Sequence, residues 1–250
     1  MVKELRVLDA RFRMNDPATA ERLYFEGHIP GAIRVSAETE LAGIKGPLTG
    51  RHPFPSRESL VALFSRLGIS PETTVVVYDD TDHAGAARCW FLLRWMGFAN
   101  VRVLDGGLKA WGKPLDKGES PVVEPSVFVE APPLVRIFGR EELRSPLVDA
   151  RAPERYRGEV EPIDPVAGHI PGALNLPYLG LLGPDGRFLP PEQLRQKLLG
   201  VGARPTFYCG SGITGCVPVL AAASLGLEAA LYPGSWSEWC RQPDAAIERG

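Results

Sequence analysis

One series of motifs runs through this 250-residue sequence twice. The first pass reads VLDAR at Val7–Arg11, GHIPGAI at Gly27–Ile33, VVVYDD at Val75–Asp80 and DGGLKAW ending at Trp111. The second reads LVDAR at Leu147–Arg151, GHIPGAL at Gly168–Leu174, TFYCGSG from Thr206 and GSWSEW ending at Trp239. Matching positions lie 140, 141, 130 and 128 residues apart, so the order is kept while the loops change length. Two copies of one domain follow, each of a size that can bury its own core. We place them at residues 1–115 and 136–250, joined by a proline-rich linker over 116–135.

Within each copy short, β-branched apolar runs alternate with helical patterns. Leu5–Leu8, Thr74–Tyr78 and Val101–Leu104 read as buried strands, as do Leu147–Asp149, Pro205–Tyr208 and Ala229–Tyr232. Asp16-Pro17 opens a helix that Gly27 stops, Ser56 opens one that Gly68 stops, and His83–Met96 has helical spacing. Alternation of this kind implies an α/β fold, a mostly parallel sheet flanked by helices in each copy. Ligands of such sheets sit at the carboxyl ends of strands, where Tyr78-Asp79 and Tyr208-Cys209 fall.

A net charge of −2 carries no basic footprint for nucleic acid or an anionic membrane. The longest charge-free stretch, Pro205–Leu227, holds four glycines and two prolines and is a poor membrane span. The N-terminal residues lack the apolar run of a signal peptide. A cytoplasmic protein is the expectation. Four scattered cysteines without a CxxC argue for reduced thiols, and no histidine spacing suits a metal, so neither metal nor cofactor is expected.

The loop FYCGSGITGC carries the chemistry. Cys209 follows a strand directly, and Gly210–Thr214 curl into the apolar helix Val217–Leu225. Glycines there let successive N–H groups point inward as a nest, and the helix dipole adds positive potential. Both favour a thiolate, so Cys209 is expected to be nucleophilic. A phosphatase loop needs an arginine six residues after its cysteine, and Gly215 stands there. In the first copy the matching position is Asp79, which cannot act as a sulfur nucleophile.

The DAR, GHIPGA, strand-Cys-loop and GSWSEW blocks resemble the tandem rhodanese family of sulfurtransferases over nearly the whole chain. The resemblance implies that Cys209 takes a donor's outer sulfur as a persulfide and passes it to a thiol, such as thioredoxin, or to cyanide. It implies one catalytic and one non-catalytic copy. The uncharged loop Cys-Gly-Ser-Gly-Ile-Thr is similar to that of 3-mercaptopyruvate sulfurtransferases, with Gly210, Gly212, Ile213 and Thr214 cradling the sulfur. Arg155 matches the family's donor-binding arginine, and Arg157 lies close by. Ser211, His52 and Glu38 match the family's serine, histidine and acidic members, with glutamate for aspartate. The sequence departs from the mercaptopyruvate pattern in having no arginine between Gly158 and Gly168. Thiosulfate as donor, and a persulfide carrier loaded by a protein partner, stay open as alternatives.

Overall fold

A computed structural model describes residues 4–250; the first three residues of the expected first domain lie outside them. The described chain divides into two compact units. The first runs to Gly43 and resumes over Phe54–Leu134; the second takes Val135–Gly250 together with the excursion Ile44–Pro53. That excursion could not be read from the repeat, because nothing in its sequence distinguishes it from the loops around it.

The first unit contains β1 (Leu5–Asp9), α1 (Pro17–Glu26), β2 (Ile33–Arg34), α2 (Arg57–Arg66), β3 (Thr74–Tyr78), α3 (Ala84–Trp95), β4 (Val101–Val103) and α4 (Gly107–Trp111). Its sheet is parallel throughout, in the order β2-β1-β3-β4. The caps expected from sequence are in place: Asp16 accepts the Thr19 N–H ahead of Pro17, and Ser56 accepts the Ser59 N–H. Residues 116–133 form no helix or strand and pack onto this unit, with Phe128 buried against Phe64 and Phe98.

The second unit contains β5 (Arg136–Ile137), β6 (Leu147–Asp149), α5 (Pro153–Tyr156), β7 (Leu174–Asn175), α6 (Pro191–Gly200), β8 (Thr206–Tyr208), α7 (Cys216–Ser224), β9 (Ala230–Leu231) and α8 (Ser235–Trp239). Its parallel sheet runs β5-β9-β8-β6-β7. The strands missed by sequence, β2, β5 and β7, have two residues each, too few to show any alternation.

The repeated motifs make the same joints in both units. Asp9 and Asp149 each grip the arginine two residues on, at 2.7 and 2.5 Å, and those arginines donate to the Gly27 and Gly168 carbonyls. His28 and His169 donate from Nδ1 to the Tyr24 and Tyr156 carbonyls and stack on those tyrosine rings. The Tyr78 and Tyr208 hydroxyls accept the Ile29 and Ile170 N–H groups. DAR and HIPG are therefore fold motifs. They close the strand ends around clusters built on Ile29, Ala32 and Tyr78, and on Ile170, Ala173 and Tyr208.

Candidate active site

In the second unit the carboxyl end of β8 delivers Cys209 as the first residue past the strand, and the chain turns through Gly210–Gly215 into α7. The turn needs Gly212. It sits at φ 81°, in the left-handed region, with the Pro233 carbonyl packed where a side chain would project. In this conformation the Gly212 N–H donates to Cys209 Sγ at 3.1 Å. The Cys216 thiol in turn donates to the Gly212 carbonyl at 3.4 Å, tying the start of α7 back to the loop. Ile213 is buried and Thr214 half-buried, and their carbonyls accept the Cys216 and Val217 N–H groups that begin the helix.

Residues of α8 hold the cysteine from its other side. The Trp236 and Ser237 N–H groups donate to the Cys209 and Gly210 carbonyls, each at 2.9 Å. Ser235 Oγ accepts the Cys209 N–H at 3.1 Å, donates to the Tyr232 carbonyl at 3.0 Å and lies 3.9 Å from Cys209 Sγ. Cys209 is 1% exposed, so its sulfur sits in a preorganised setting rather than in bulk water.

The excursion Ile44–Pro53 brings two further side chains to this loop. It is pinned by the Arg51 N–H on Ser237 Oγ at 3.0 Å, by the Gln242 amide on the Leu48 carbonyl at 2.9 Å, and by close approach of Gly50 to the Gly234 carbonyl. His52 is 1% exposed, with Nδ1 2.8 Å from Ser211 Oγ. The structure thus brings together Cys209, Ser211 and His52. Glu38 lies in the first unit, where its carboxylate accepts the Asn15 N–H at 3.2 Å.

Arg155 stands on the short helix α5, opened by Pro153, and bonds Glu161 through Nε and Nη2 at 3.2 and 2.7 Å. Burial pushes the Glu161 carboxyl up, but hydrogen bonds from Arg155 and the Asp164 backbone outweigh it and hold the group below the usual carboxylate range. Arg51 pairs through Nη1 with Asp164, leaving its buried Nε and Nη2 without a hydrogen-bond partner. Both guanidiniums rest against Gly210. A Cβ there would lie 2.9 Å from Arg51 Nη2 and 3.5 Å from Arg155 Nη1. Arg157, by contrast, is exposed and pairs with Glu159.

The matching loop of the first unit is filled from within. Asp79 follows β3 and its carboxylate accepts the His83 and Ala86 N–H groups at 3.2 Å and the Thr81 N–H at 3.4 Å. Burial pushes its pKa up to about 6. Where one loop amide faces a sulfur in the second unit, three face a fixed carboxylate in the first.

Comparison with known proteins accords with this arrangement. A family model described as "Rhodanese-like domain" matches residues 1–114 and 134–242. The chain belongs to the rhodanese-like family. A Pseudomonas aeruginosa protein named "Probable 3-mercaptopyruvate sulfurtransferase" is 44% identical over 99% of this chain and 93% of its own length. A Mycobacterium tuberculosis protein named "Putative thiosulfate sulfurtransferase SseB" is 43% identical over 98% of this chain and 90% of its own. Among solved structures, SseA from Escherichia coli, described under 3-mercaptopyruvate sulfotransferases, superposes with a TM-score of 0.80 at 30% identity, covering 94% of each chain.

Sequence reasoning on this rhodanese-like chain missed Arg51. The signal is adjacent, in His52 of GRHPFP, but only the fold shows that its neighbour reaches the loop. The remaining cysteines are also settled by packing. Cys89 is core, and burial pushes its thiol up. Cys240 is 8% exposed, in the core cluster with Trp236, and burial raises its pKa. Among the described residues no group of histidines, cysteines and carboxylates is placed to hold a metal, and no helix is long and apolar enough to cross a membrane.

Proposed function

We propose that this sulfurtransferase takes sulfur from 3-mercaptopyruvate onto Cys209 and passes it to a thiol acceptor or cyanide. The observation that carries the reading is the Gly212 N–H on Cys209 Sγ, in an uncharged loop flanked by Arg51 and Arg155. An amide fixed on the sulfur stabilises negative charge on the thiolate, and equally on the persulfide that replaces it. The two guanidiniums suit a donor carboxylate. Arg155 is the member expected from sequence, and Arg51, with Nε and Nη2 unengaged, supplies a planar fork.

In the first half-reaction the Cys209 thiolate attacks the donor's sulfur, forming S–S and breaking S–C. The electron pair of the broken bond leaves on carbon as the enolate of pyruvate. The proton released from the donor's thiol ends on that carbon, giving pyruvate, so the step needs a proton carrier. Ser211 and His52, 2.8 Å apart, fill that role, and Glu38 is the acidic member that the family resemblance adds. In the second half-reaction the acceptor's nucleophile takes the outer sulfur and Cys209 returns as thiolate. The first domain, with Asp79 filling its loop, is non-catalytic in this scheme. Cysteines that are all unbridged suit a reducing compartment, and we place the enzyme in the cytoplasm with a reduced dithiol protein such as thioredoxin as acceptor.

Thiosulfate is the second reading, favoured by the name of the Mycobacterium tuberculosis relative. Intact-protein mass after brief exposure to either donor decides between them, with Cys209→Ser as control. A gain of one sulfur atom that is lost in the control establishes the persulfide, and the faster donor names the substrate. No gain with either donor refutes the enzyme reading and leaves a carrier loaded by a protein partner.

A further inference from the structure

The arginines beside the loop are not free charges. Asp164, in the stretch between Gly158 and Gly168 that holds no arginine, is buried with its side chain fully enclosed. Arg51 pairs with its Oδ1, Arg155 Nη2 is 3.6 Å from Oδ2, and Arg241 Nη1 is 3.7 Å from Oδ1. Asp164 Oδ2 has no hydrogen-bond partner, and neither do Arg51 Nε and Nη2. A buried ion pair that served only the fold would saturate its polar atoms, because each one left over costs free energy. This pairing is half made. Asp164 tethers one edge of Arg51 and leaves the opposite edge buried, unengaged and against Gly210, the residue after the nucleophile.

The charges of the cluster can be counted. Arg151 is matched by Asp149, and Arg155 by Glu161. Arg51 and Arg241 share Asp164. Four arginines therefore face three carboxylates and the Cys209 thiolate, a balance with no charge to spare. A monoanionic donor leaves the cluster one negative charge over, and a dianion leaves it two, in a buried setting where water screens poorly.

We infer that Asp164 is a specificity-determining residue, which holds Arg51 in place and sets the site's charge for a monoanionic α-keto carboxylate donor against dianionic thiosulfate. The inference rests on the donor reading above and adds to it the residue that enforces the choice. Replacing the carboxylate by an amide of the same shape gives the cluster one positive charge more, which offsets the second charge of thiosulfate. Asp164→Asn should increase the ratio of kcat/KM for thiosulfate to that for 3-mercaptopyruvate by about tenfold or more, while Asp164→Glu, which restores the charge, should bring the ratio back toward wild type. A residue that merely supports the fold would slow both donors alike and leave the ratio where it was.

The wild-type protein gives a second measurement that does not depend on the variant folding. Pyruvate and sulfate, tested as competitive inhibitors of sulfur loading, present one and two negative charges to the same cluster. Pyruvate should compete at least about tenfold more strongly, on the same electrostatic argument. An unchanged donor ratio in a folded Asp164→Asn protein overturns the inference, and so does sulfate competing as well as pyruvate. Wild-type protein that loads sulfur from neither donor removes the donor reading itself, and this inference falls with it. That outcome is distinct, because it is seen before any variant is made.

Discussion

Ser235 holds a backbone conformation that its own repeat assigns to glycine. In the first unit the matching residue of the DGGLKAW block is Gly107, at φ 56°; Ser235 in GSWSEW is also at φ 56°. An L-residue in this region costs about 1–2 kcal/mol, a cost that glycine avoids. What the serine supplies is its hydroxyl, which accepts the Cys209 N–H at 3.1 Å and stands 3.9 Å from the sulfur. Two substitutions separate the terms. Ser235→Ala keeps the left-handed strain and leaves a buried N–H unsatisfied, a loss of roughly 1–3 kcal/mol. Ser235→Gly leaves the same N–H unsatisfied but relieves the strain, less about 0.4–1 kcal/mol for the freer unfolded chain. The glycine variant should therefore be more stable than the alanine variant by up to about 1.6 kcal/mol, or roughly 3–6 °C in Tm for a chain of this size. Both should load sulfur onto Cys209 about five- to tenfold more slowly than wild type, by the same factor, since the lost hydrogen bond is the same. Thermal melting with single-turnover loading, read by intact mass, tests the two claims together. An alanine variant that melts at or above the glycine variant refutes the strain argument. A glycine variant that loads at the wild-type rate refutes the role of the hydroxyl.

Further expectations follow from the same geometry. Gly212→Ala places a side chain at φ 81° against the Pro233 carbonyl; it should lose at least about 2 kcal/mol of stability and slow loading by about a hundredfold or more, measured by denaturant unfolding and by mass. Ser211→Ala removes one partner of His52 and should slow loading from 3-mercaptopyruvate about a hundredfold, while loading from thiosulfate, whose sulfite leaving group needs no proton, stays within a few-fold. For Asp79 the folded pKa of about 6 lies above the ordinary 3.8, so the fold binds a proton that the unfolded chain releases between those values. Stability from this group is therefore full below pH 3.8 and falls as pH rises through 6. Measured by unfolding at pH 5 and pH 7.5, Asp79→Asn should gain about 1–2 kcal/mol relative to wild type at the higher pH.

Much of this was legible because the chain prints its domain twice. The strands Thr74–Tyr78 and Leu147–Asp149 and the helix caps at Asp16 and Ser56 follow from local chemistry, and the structure has them where the residues call for them. The placement of Cys209 was legible for a related reason: a cysteine at a strand end followed by alternating glycines suits an amide nest. What escaped depends on contacts made far along the chain. The excursion Ile44–Pro53 joins the second unit through single hydrogen bonds such as Arg51 to Ser237, 186 residues apart, and no periodicity announces such a contact. Asp164 escaped because a lone aspartate in EVEPIDPVAG looks like any loop residue until three arginines are found around it.

The two copies also show how little separates the Asp79 loop from the Cys209 loop. Both place a residue at the same strand end, and both receive the next amide from the helix opposite: Leu108 N–H on the Asp79 carbonyl at 2.7 Å, Trp236 N–H on the Cys209 carbonyl at 2.9 Å. In the first unit the carboxylate is short enough to turn back and take the loop's N–H groups itself, so the nest is satisfied internally and glycine suffices at residue 107. In the second a sulfur takes a single N–H, and a hydroxyl is added beside it at a position where the backbone resists any side chain. The strain at Ser235 and the half-made pairing at Arg51 are thus one kind of feature. Each is a place where the fold forgoes stability that its own repeat, or a saturated ion pair, would have kept, and each lies against Cys209 or Gly210.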